Sequence, residues 1–407
     1  MASVAPALRQ EYRIIGMVAA AHGGSHYFHL VLPPLFPALK AAFGVGYAEL
    51  GLLLSALFLT SGLCQTPAGF LVDRIGASRV LAAGLAALGA GAVLASMAPS
   101  YAALLPAAVL MGLGNSVFHP ADYAILGHHV GKPRMARAFS IHTVGGTLGW
   151  AAAPVLVAGI AAMASWRAAL LVSGCIGLGL AAMVALHRAQ LETPGHRASP
   201  QPGEGSAIAG HLRLLVSAPI LLCFLFFALQ ATSFIALQGF MPVSLHQLFG
   251  LDMVVATATV TAFMIGSAGG TLAGGILADR SGRHQRIIAG GLALAAMILF
   301  VVGRVAMPTP VLLAAVALAG ALAGATTPSR DMLVRAASPP GAAGKVFGFV
   351  YSGLDLGSTV TPAVVGSLID AGHPGIVFVL VPAVMALSIL TATNLPVRQS
   401  PAAPAVG

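Results

Sequence analysis

The chain has 407 residues, of which 58% are hydrophobic and 8% charged, with a mean hydropathy of +0.92 and a formal charge of +9. A soluble domain carries about 25% charged residues, so this composition excludes a water-covered globule and fits a chain covered by lipid. Three cysteines, Cys64, Cys175 and Cys223, lie within apolar runs at no paired spacing, which excludes a disulfide framework and a structural zinc site.

A membrane-crossing helix needs about 20 mostly apolar residues. In chain order, twelve such segments are predicted, at about 14–37, 47–72, 78–97, 102–127, 135–160, 166–187, 215–242, 252–279, 286–305, 309–336, 344–370 and 374–394. The first lacks the compact core and cleavage site of a secretory signal, so it is expected to be a permanent helix. Short loops join all neighbours except one pair. That exception, residues 188–213, is rich in Pro, Gly, Ser and charge and reads as a linker. The expected organisation is therefore an N-terminal six-helix bundle (1–187), a cytoplasmic linker (188–213) and a C-terminal six-helix bundle (214–407). With both termini cytoplasmic, only Lys40, Arg167 and Arg304 of the 20 Lys and Arg fall on the far side. This one-sidedness is the positive-inside pattern of a multi-pass protein of the cell inner (plasma) membrane. It also explains the basic charge without nucleic acid.

The two halves repeat. At an offset of 208 residues, Pro34 meets Pro242, Gly112 meets Gly320, Pro120 meets Pro328, Gly145 meets Gly353, Gly149 meets Gly357 and Pro154 meets Pro362. Around the second helix an offset of 206 aligns Gly69, Asp73, Arg74 and Gly76 with Gly275, Asp279, Arg280 and Gly282. Six-helix parallel repeats place a solute site at their interface near mid-membrane. Charges fixed at helix ends can lock one face and release it, so Gly69, Asp73, Arg74, Gly275, Asp279, Arg280 and Arg283 are candidate residues of a cytoplasmic gate, with the glycines allowing a tight turn and close helix approach. Isolated Asp-Arg pairs are more often solvated loop charges; the duplication favours the gate.

These loops, Gly69-Phe-Leu-Val-Asp73-Arg74-Ile-Gly76 and Gly275-Ile-Leu-Ala-Asp279-Arg280-Ser-Gly282-Arg283-His284, resemble the G-x-x-x-D-R-x-G-R-R/K signature of the major facilitator superfamily. The first copy departs after its last Gly, with Ala77 and Ser78 where basic residues are usual. The stretch Gly112-Leu-Gly-Asn-Ser-Val-Phe-His119-Pro120, followed by His142, Gly145 and Gly146, resembles the fosmidomycin-resistance-type branch of that superfamily. The resemblance implies an all-α membrane fold of twelve helices in two pseudo-symmetric bundles, alternating access, and proton-driven antiport of a drug-like or organic anionic compound, hence efflux and drug resistance. Two departures bear on coupling: His22 is followed four residues on by His26 where Asp is common, and the fourth helix lacks the Arg of many drug/proton antiporters.

Ionisable residues at membrane depth are costly and mark function. His22, His26 and His29 recur at steps of four and three, which puts them on one helical face. Such a stripe can relay protons or bind a transition metal; hydrogen-bonded structural histidines are the plainer alternative. His119 and Asp122 share the fourth helix, and His142 lies at similar depth in the fifth. Asp122 could instead cap or gate, and His119 could satisfy the carbonyl that Pro120 frees. Asp355, between Gly353 and Gly357, is the acidic residue best placed for coupling, and Gln230 could hydrogen-bond a solute. No phosphate loop, H-E-x-x-H or G-x-S-x-G motif is present, so the chain is expected to be no enzyme and to need no cofactor. The His119/Asp122 pair would be the nearest approach to a catalytic dyad, and nothing in the loops suggests a receptor. The expected partners are a small-molecule solute, protons and the bilayer, with the chain acting as a monomer. The alternative cargo is a transition metal or metal complex taken by the helix-one histidines.

Overall fold

The computed structural model describes residues 4–131, 134–193, 215–281, 283–337 and 343–395. The architecture is all-α. In the first half run α1 (Val4–His29), α2 (Phe36–Phe43), α3 (Tyr47–Ile75), α4 (Ala77–Ser96), α5 (Tyr101–Asn115), α6 (Phe118–His129), α7 (Met135–Met163), α8 (Trp166–Leu186) and the short α9 (Arg188–Leu191). The second half contributes α10 (Ala218–Phe249), α11 (Met253–Ser281), α12 (His284–Val302), α13 (Thr309–Gly324), α14 (Thr327–Ala337), α15 (Ala343–Asp370) and α16 (Val377–Thr393). Ten segments among the described residues are long and apolar enough to cross a membrane, so this is a multi-pass membrane protein. Two of the twelve expected spans, on α1 and α15, do not meet that criterion. The α1 stripe of three histidines and the Asp355 and Asp370 of α15 dilute their apolar runs.

Some of the chain's prolines mark helix breaks, while Pro67, Pro106, Pro154, Pro242, Pro362 and Pro382 lie within continuous helices. The expected first span stops at His29 instead of Pro37, because Pro33 and Pro34 cannot extend the hydrogen-bond ladder. They open a 3₁₀ turn, Pro33–Leu35, and the chain restarts as α2. The expected span 102–127 is interrupted at Ser116–Val117, between α5 and α6, one turn before Pro120, whose missing N–H leaves a carbonyl free there. The repeat-related Pro328 follows the same interruption between α13 and α14.

Each half uses the same three helix pairings. In the first, α1 packs on α7, α3 on α5 and α4 on α8; in the second, α10 packs on α15, α11 on α13 and α12 on α16. Close backbone approach makes these contacts possible. A Cβ on Gly145 or Gly149 of α7 would overlap the backbone of Ala19 or Gly23 of α1. Gly353 and Gly357 meet Phe224 and Ala228 of α10 in the same way.

Among the described residues, two helix pairs carry most of the contact between the halves. Along α3 and α15, Tyr47 faces Gly366, Gly51 faces Pro362, Ser55 donates to the Thr359 carbonyl at 2.6 Å, and Gly62 faces Asp355. Between α7 and α11, Thr261 donates to the Ala151 carbonyl at 2.7 Å. At the end of the seam away from the Arg-rich loops, Asp370 caps α3 from the opposite half. The N-cap of α3 is Gly46, which has no side chain to offer. The Asp370 carboxylate accepts the Ala48 N–H at 2.7 Å and lies 3.4 Å from Lys40. It thereby satisfies an orphan N–H of the first turn and opposes its positive dipole end.

The opening of the linker is structured. The N-cap of α4 is Gly76, at φ +92°, and again has no side chain. Thr193 accepts the Ala77 N–H at 3.2 Å, and Glu192 accepts the Ser78 hydroxyl at 3.2 Å. Residues 188–193 thus dock on α4 rather than forming free linker; the rest of the expected linker lies outside the described residues.

Outside the spans, Arg134 forks onto Glu11 through two 2.6 Å hydrogen bonds. These bonds hold the Glu11 carboxyl below its usual value, against an opposing contribution from burial. A depressed carboxyl stabilises the fold above its unfolded value, about 4.3, and loses that contribution as pH falls through the folded value. Glu11→Gln is therefore expected to lower the melting temperature modestly at pH 7, with the difference from the parent protein vanishing in acid; thermal scans of both at several pH values measure it.

Candidate functional site

A cluster of polar side chains fills the packing between α1, α6 and α7. Position 22 of α1 faces α6 and α7, so the stripe His22, His26, His29 turns inward toward the other helices. Gly146 of α7 makes room for it, since a Cβ there would lie 2.5 Å from His26 Nδ1 and 2.6 Å from His22 Cδ2. At the deepest level, Asp122 is fully buried and accepts a 2.9 Å hydrogen bond from His142 Nε2. His22 stacks on His142 with ring centres 3.8 Å apart, and its Nδ1 lies 3.4 Å from the same carboxylate oxygen. That approach lacks hydrogen-bond alignment, so His22 Nδ1 and the second oxygen, Asp122 Oδ1, are buried without a partner. A buried carboxylate must be compensated, and two imidazoles from neighbouring helices supply that here.

An outer level continues the cluster. His26 stacks on Trp150 at 3.8 Å, and Trp150 meets Phe234 of α10 edge-on at 5.0 Å, which carries the cluster to the seam between the halves. The Trp150 N–H donates to His29 Nδ1 at 3.3 Å. His29 then carries its proton on Nε2 and donates to Asn115 Oδ1 at 2.9 Å. Asn115 also accepts from Ser25 at 2.6 Å and donates to Ser61 at 2.8 Å, so four side chains from α1, α3 and α5 hold one another in place. His119 lies at the exposed edge, 5.7 Å from the His22 ring and stacked on Tyr123, which is itself 49% exposed.

Of the residues singled out from the sequence, the structure brings together His22, His26, His29, His119, Asp122 and His142. Asp355 is not part of that group. It stands half-buried on the seam, where an added Cβ on Gly62 of α3 would lie 3.3 Å from it, and no hydrogen bond or ion pair engages it among the described residues. Gln230 is half-buried in α10, away from the cluster's contacts. Arg74, Arg280 and Arg283 are exposed at the ends of α3 and α11. The side chains of Asp73 and Asp279 lie outside the described residues. Gly69 and Gly275 depart from expectation. They sit inside α3 and α11, not in turns, and nothing lies within 4 Å of a Cβ built on either. The turn between α3 and α4 falls instead at Gly76.

Several members escaped the sequence reading. Asn115, Ser25, Ser61 and Trp150 complete the outer network, and only the position of Asn115 inside the Gly112–Pro120 stretch could have drawn attention to one of them. Arg330 is another. It stands 208 residues after Asp122, so the same position of the repeat is acidic in one half and basic in the other. Arg330 hydrogen-bonds Asp331 at 2.9 Å and lies over the Phe227 ring at 4.5 Å.

This architecture has relatives. The profile of the Major Facilitator Superfamily matches residues 18–300 and 232–406. The Fosmidomycin resistance protein of Escherichia coli (strain K12) is 28% identical over 284 residues, covering 69% of this chain and 68% of that protein. The Multidrug resistance protein B homolog of Mycobacterium tuberculosis (strain ATCC 25618 / H37Rv) is 28% identical over 174 residues, but this alignment covers 43% of this chain and only 32% of that one. Among solved structures, a bacterial homolog of the human lysosomal transporter Spinster, inward-facing and unoccupied, superposes with a TM-score of 0.74 over 95% of both chains at 17% identity, which shows a shared fold. With its profile matched across nearly the whole length, the chain belongs to the Major Facilitator Superfamily, and it is a transporter of small-molecule solutes rather than an enzyme.

Proposed function

We propose that this protein is a proton-coupled exporter of a drug-like or organic anionic compound, working by alternating access as a monomer in the inner (plasma) membrane with both termini in the cytoplasm. The observation that carries the reading is Asp355. It is an acidic residue with no described partner, placed on the α3–α15 seam that must rearrange when the halves rock. Charge at that depth is expensive, and taking up a proton removes the expense. The seam can therefore differ in stability between the protonated and deprotonated forms, which is the differential interaction that coupling requires.

The solute would sit between the halves, against His26, His29, His119 and Asn115 on one side and Gln230 and Arg330 on the other. Donor groups of imidazole, amide and guanidinium suit an anionic or multiply polar compound, and the exposed Tyr123 and Tyr351 add aromatic surface. The names of two relatives, a fosmidomycin resistance protein and a multidrug resistance homolog, support export of such compounds. In this reading the Asp370–Ala48–Lys40 contact closes the face opposite the cytoplasm, while Arg74, Arg280 and Arg283, with Asp73 and Asp279, belong to the cytoplasmic gate.

Proteoliposomes carrying the purified protein and an imposed pH gradient test this directly. Fosmidomycin, other organic anions and amphiphilic drugs should be screened for flux that follows the gradient and collapses with a protonophore. Flux that ignores the pH gradient would remove proton coupling, and no flux of any compound by folded protein would remove the substrate class. A metal ion as cargo has weaker support. Of the three α1 histidines only His22 joins a ligand-spaced group among the described residues, and that group is sealed inside one half.

A further inference from the structure

We propose that His22, Asp122 and His142 form a binding site for a first-row divalent transition ion, held as a resident within the first half rather than carried across the membrane. The proposal rests on geometry that the transport reading does not use. The three side chains come from three different helices, α1, α6 and α7, and each is at least 96% shielded from solvent, with exposures of 4%, 0% and 3%. One donor atom from each lies within 4.8 Å of the others. Two of the separations are 3.4 Å, from His22 Nδ1 to Asp122 Oδ2, and 2.9 Å, from His142 Nε2 to the same oxygen. Tetrahedral coordination at bond lengths near 2.0–2.1 Å sets donors about 3.3 Å apart. These two separations bracket ligand spacing, and the His22 and His142 rings, stacked at 3.8 Å, would turn to aim both nitrogens at one ion.

The valences left over point the same way. His22 Nδ1 and Asp122 Oδ1 are buried and have no hydrogen-bond partner, and His26 Nδ1 is in the same condition just above them. Buried polar atoms in a native fold are rarely left unpaired. An ion at the centre of the triad would engage His22 Nδ1 directly. It would also neutralise a carboxylate that is otherwise balanced only by shared imidazole protons. Coordination through His142 Nε2 requires that ring to carry its proton on Nδ1 instead. Two imidazoles and one carboxylate suit zinc, cobalt, nickel or copper and discriminate against magnesium and calcium, which prefer all-oxygen shells.

His119 is the exposed member of the cluster, with its ring 5.7 Å from that of His22. It can supply a fourth ligand, or leave that position to water. A site tying α1, α6 and α7 together would stiffen the half that must move as a body.

The test uses the full-length protein, purified in detergent and stripped with a chelator. Cobalt(II) is the first probe, because a tetrahedral site gives strong visible d–d absorption, and zinc(II) displacing it gives the affinity. The expected result is about one ion per chain, with the tetrahedral signature, and a higher melting temperature in zinc. His142→Ala and His22→Ala should each weaken binding by more than about 100-fold, beyond what loss of an outer-shell contact gives. His128→Ala/His129→Ala, which removes histidines outside the triad, should bind as the parent does. If His142→Ala is poorly folded, His22→Gln keeps the ring's neighbours supplied with a polar group and should still lose the cobalt spectrum. Binding that survives in His22→Gln and His142→Ala, or an absence of cobalt and zinc binding in well-folded parent protein, would overturn the proposal. Neither result bears on whether flux follows a pH gradient.

Discussion

Asp355→Asn is expected to abolish gradient-driven transport while leaving a folded protein that still exchanges solute. Asparagine matches the protonated carboxyl in volume and stays neutral throughout the cycle. Asp355 has no described hydrogen-bond or ion-pair partner, so the substitution breaks no interaction in this state. Its neighbour across the seam is Gly62, whose missing side chain gives the carboxyl its space. The seam would then lose the difference between two protonation states, and with it the link to the proton gradient. Uphill transport should fall to the level of protein-free liposomes. Exchange of labelled for unlabelled solute across the same proteoliposomes needs no net proton movement and should be largely retained. A structural role makes the opposite pattern: lower thermal stability, with exchange and driven transport impaired together. Full driven transport by the variant would take Asp355 out of the mechanism and turn attention to His26, His29 and His119.

Much of this fold was legible in the sequence because lipid imposes a simple rule. Every span must be helical and apolar, so segment lengths and the repeat offset carry most of the architecture. The prolines were informative too: Pro120 and Pro328 mark matching breaks in the two halves. Where the sequence misled, a local pattern was overruled by distant partners. The run 14–37 reads as one long span, yet Pro33 and Pro34 end the helix at His29. Residues 188–193 look like linker, yet Glu192 and Thr193 are held by the bare N-terminus of α4. Gly46 and Gly76 explain why: a helix that begins with glycine must borrow its cap, and the lender can be 322 residues away, as Asp370 is from Ala48.

The site divides along the same line. That His22, His26 and His29 share one face follows from helical periodicity alone, and the packing of α1 against α6 and α7 turns that face inward. That Asp122 would be gripped by His142, 20 residues away on another helix, depends on how α6 and α7 cross, and no local pattern encodes it. Asn115, Ser25 and Ser61 are individually unremarkable in sequence and become a network only when α1, α3 and α5 meet. Asp355 was conspicuous as a charge within an apolar run. Its separation from the histidine cluster, and its place on the seam, emerged only from the packing of α3 against α15.

Gly270→Leu is expected to prevent folding outright. Gly266, Gly270 and Gly274 are spaced four residues apart and line one face of α11. Each lies against the backbone carbonyl of α13 or its exit, at Ala317, Ala321 and Ala325, so closely that a Cβ on any of them would overlap it. The contact is reciprocal, because Gly320 and Gly324 of α13 press on the carbonyls of Phe263 and Ser267. In lipid there is no hydrophobic force to hold two helices together, and close backbone packing takes its place. Leucine at the middle position would drive the helices apart along the whole interface. Overpacking a single core site costs about 1–3 kcal/mol. Here the overlap is with main chain, which cannot move aside as a side chain can, so the loss should reach or exceed the top of that range. The variant should be degraded or recovered as aggregate, with its monodisperse peak in size-exclusion chromatography lost. Gly269→Leu is the control. It is adjacent in sequence, but nothing lies within 4 Å of a Cβ built there, so it should be recovered in parental amounts with a melting temperature within a few degrees of the parent. Normal recovery of folded Gly270→Leu would show that α11 and α13 do not pack as described. Equal loss of both variants would show that leucine is rejected on this helix for reasons other than the α13 contact.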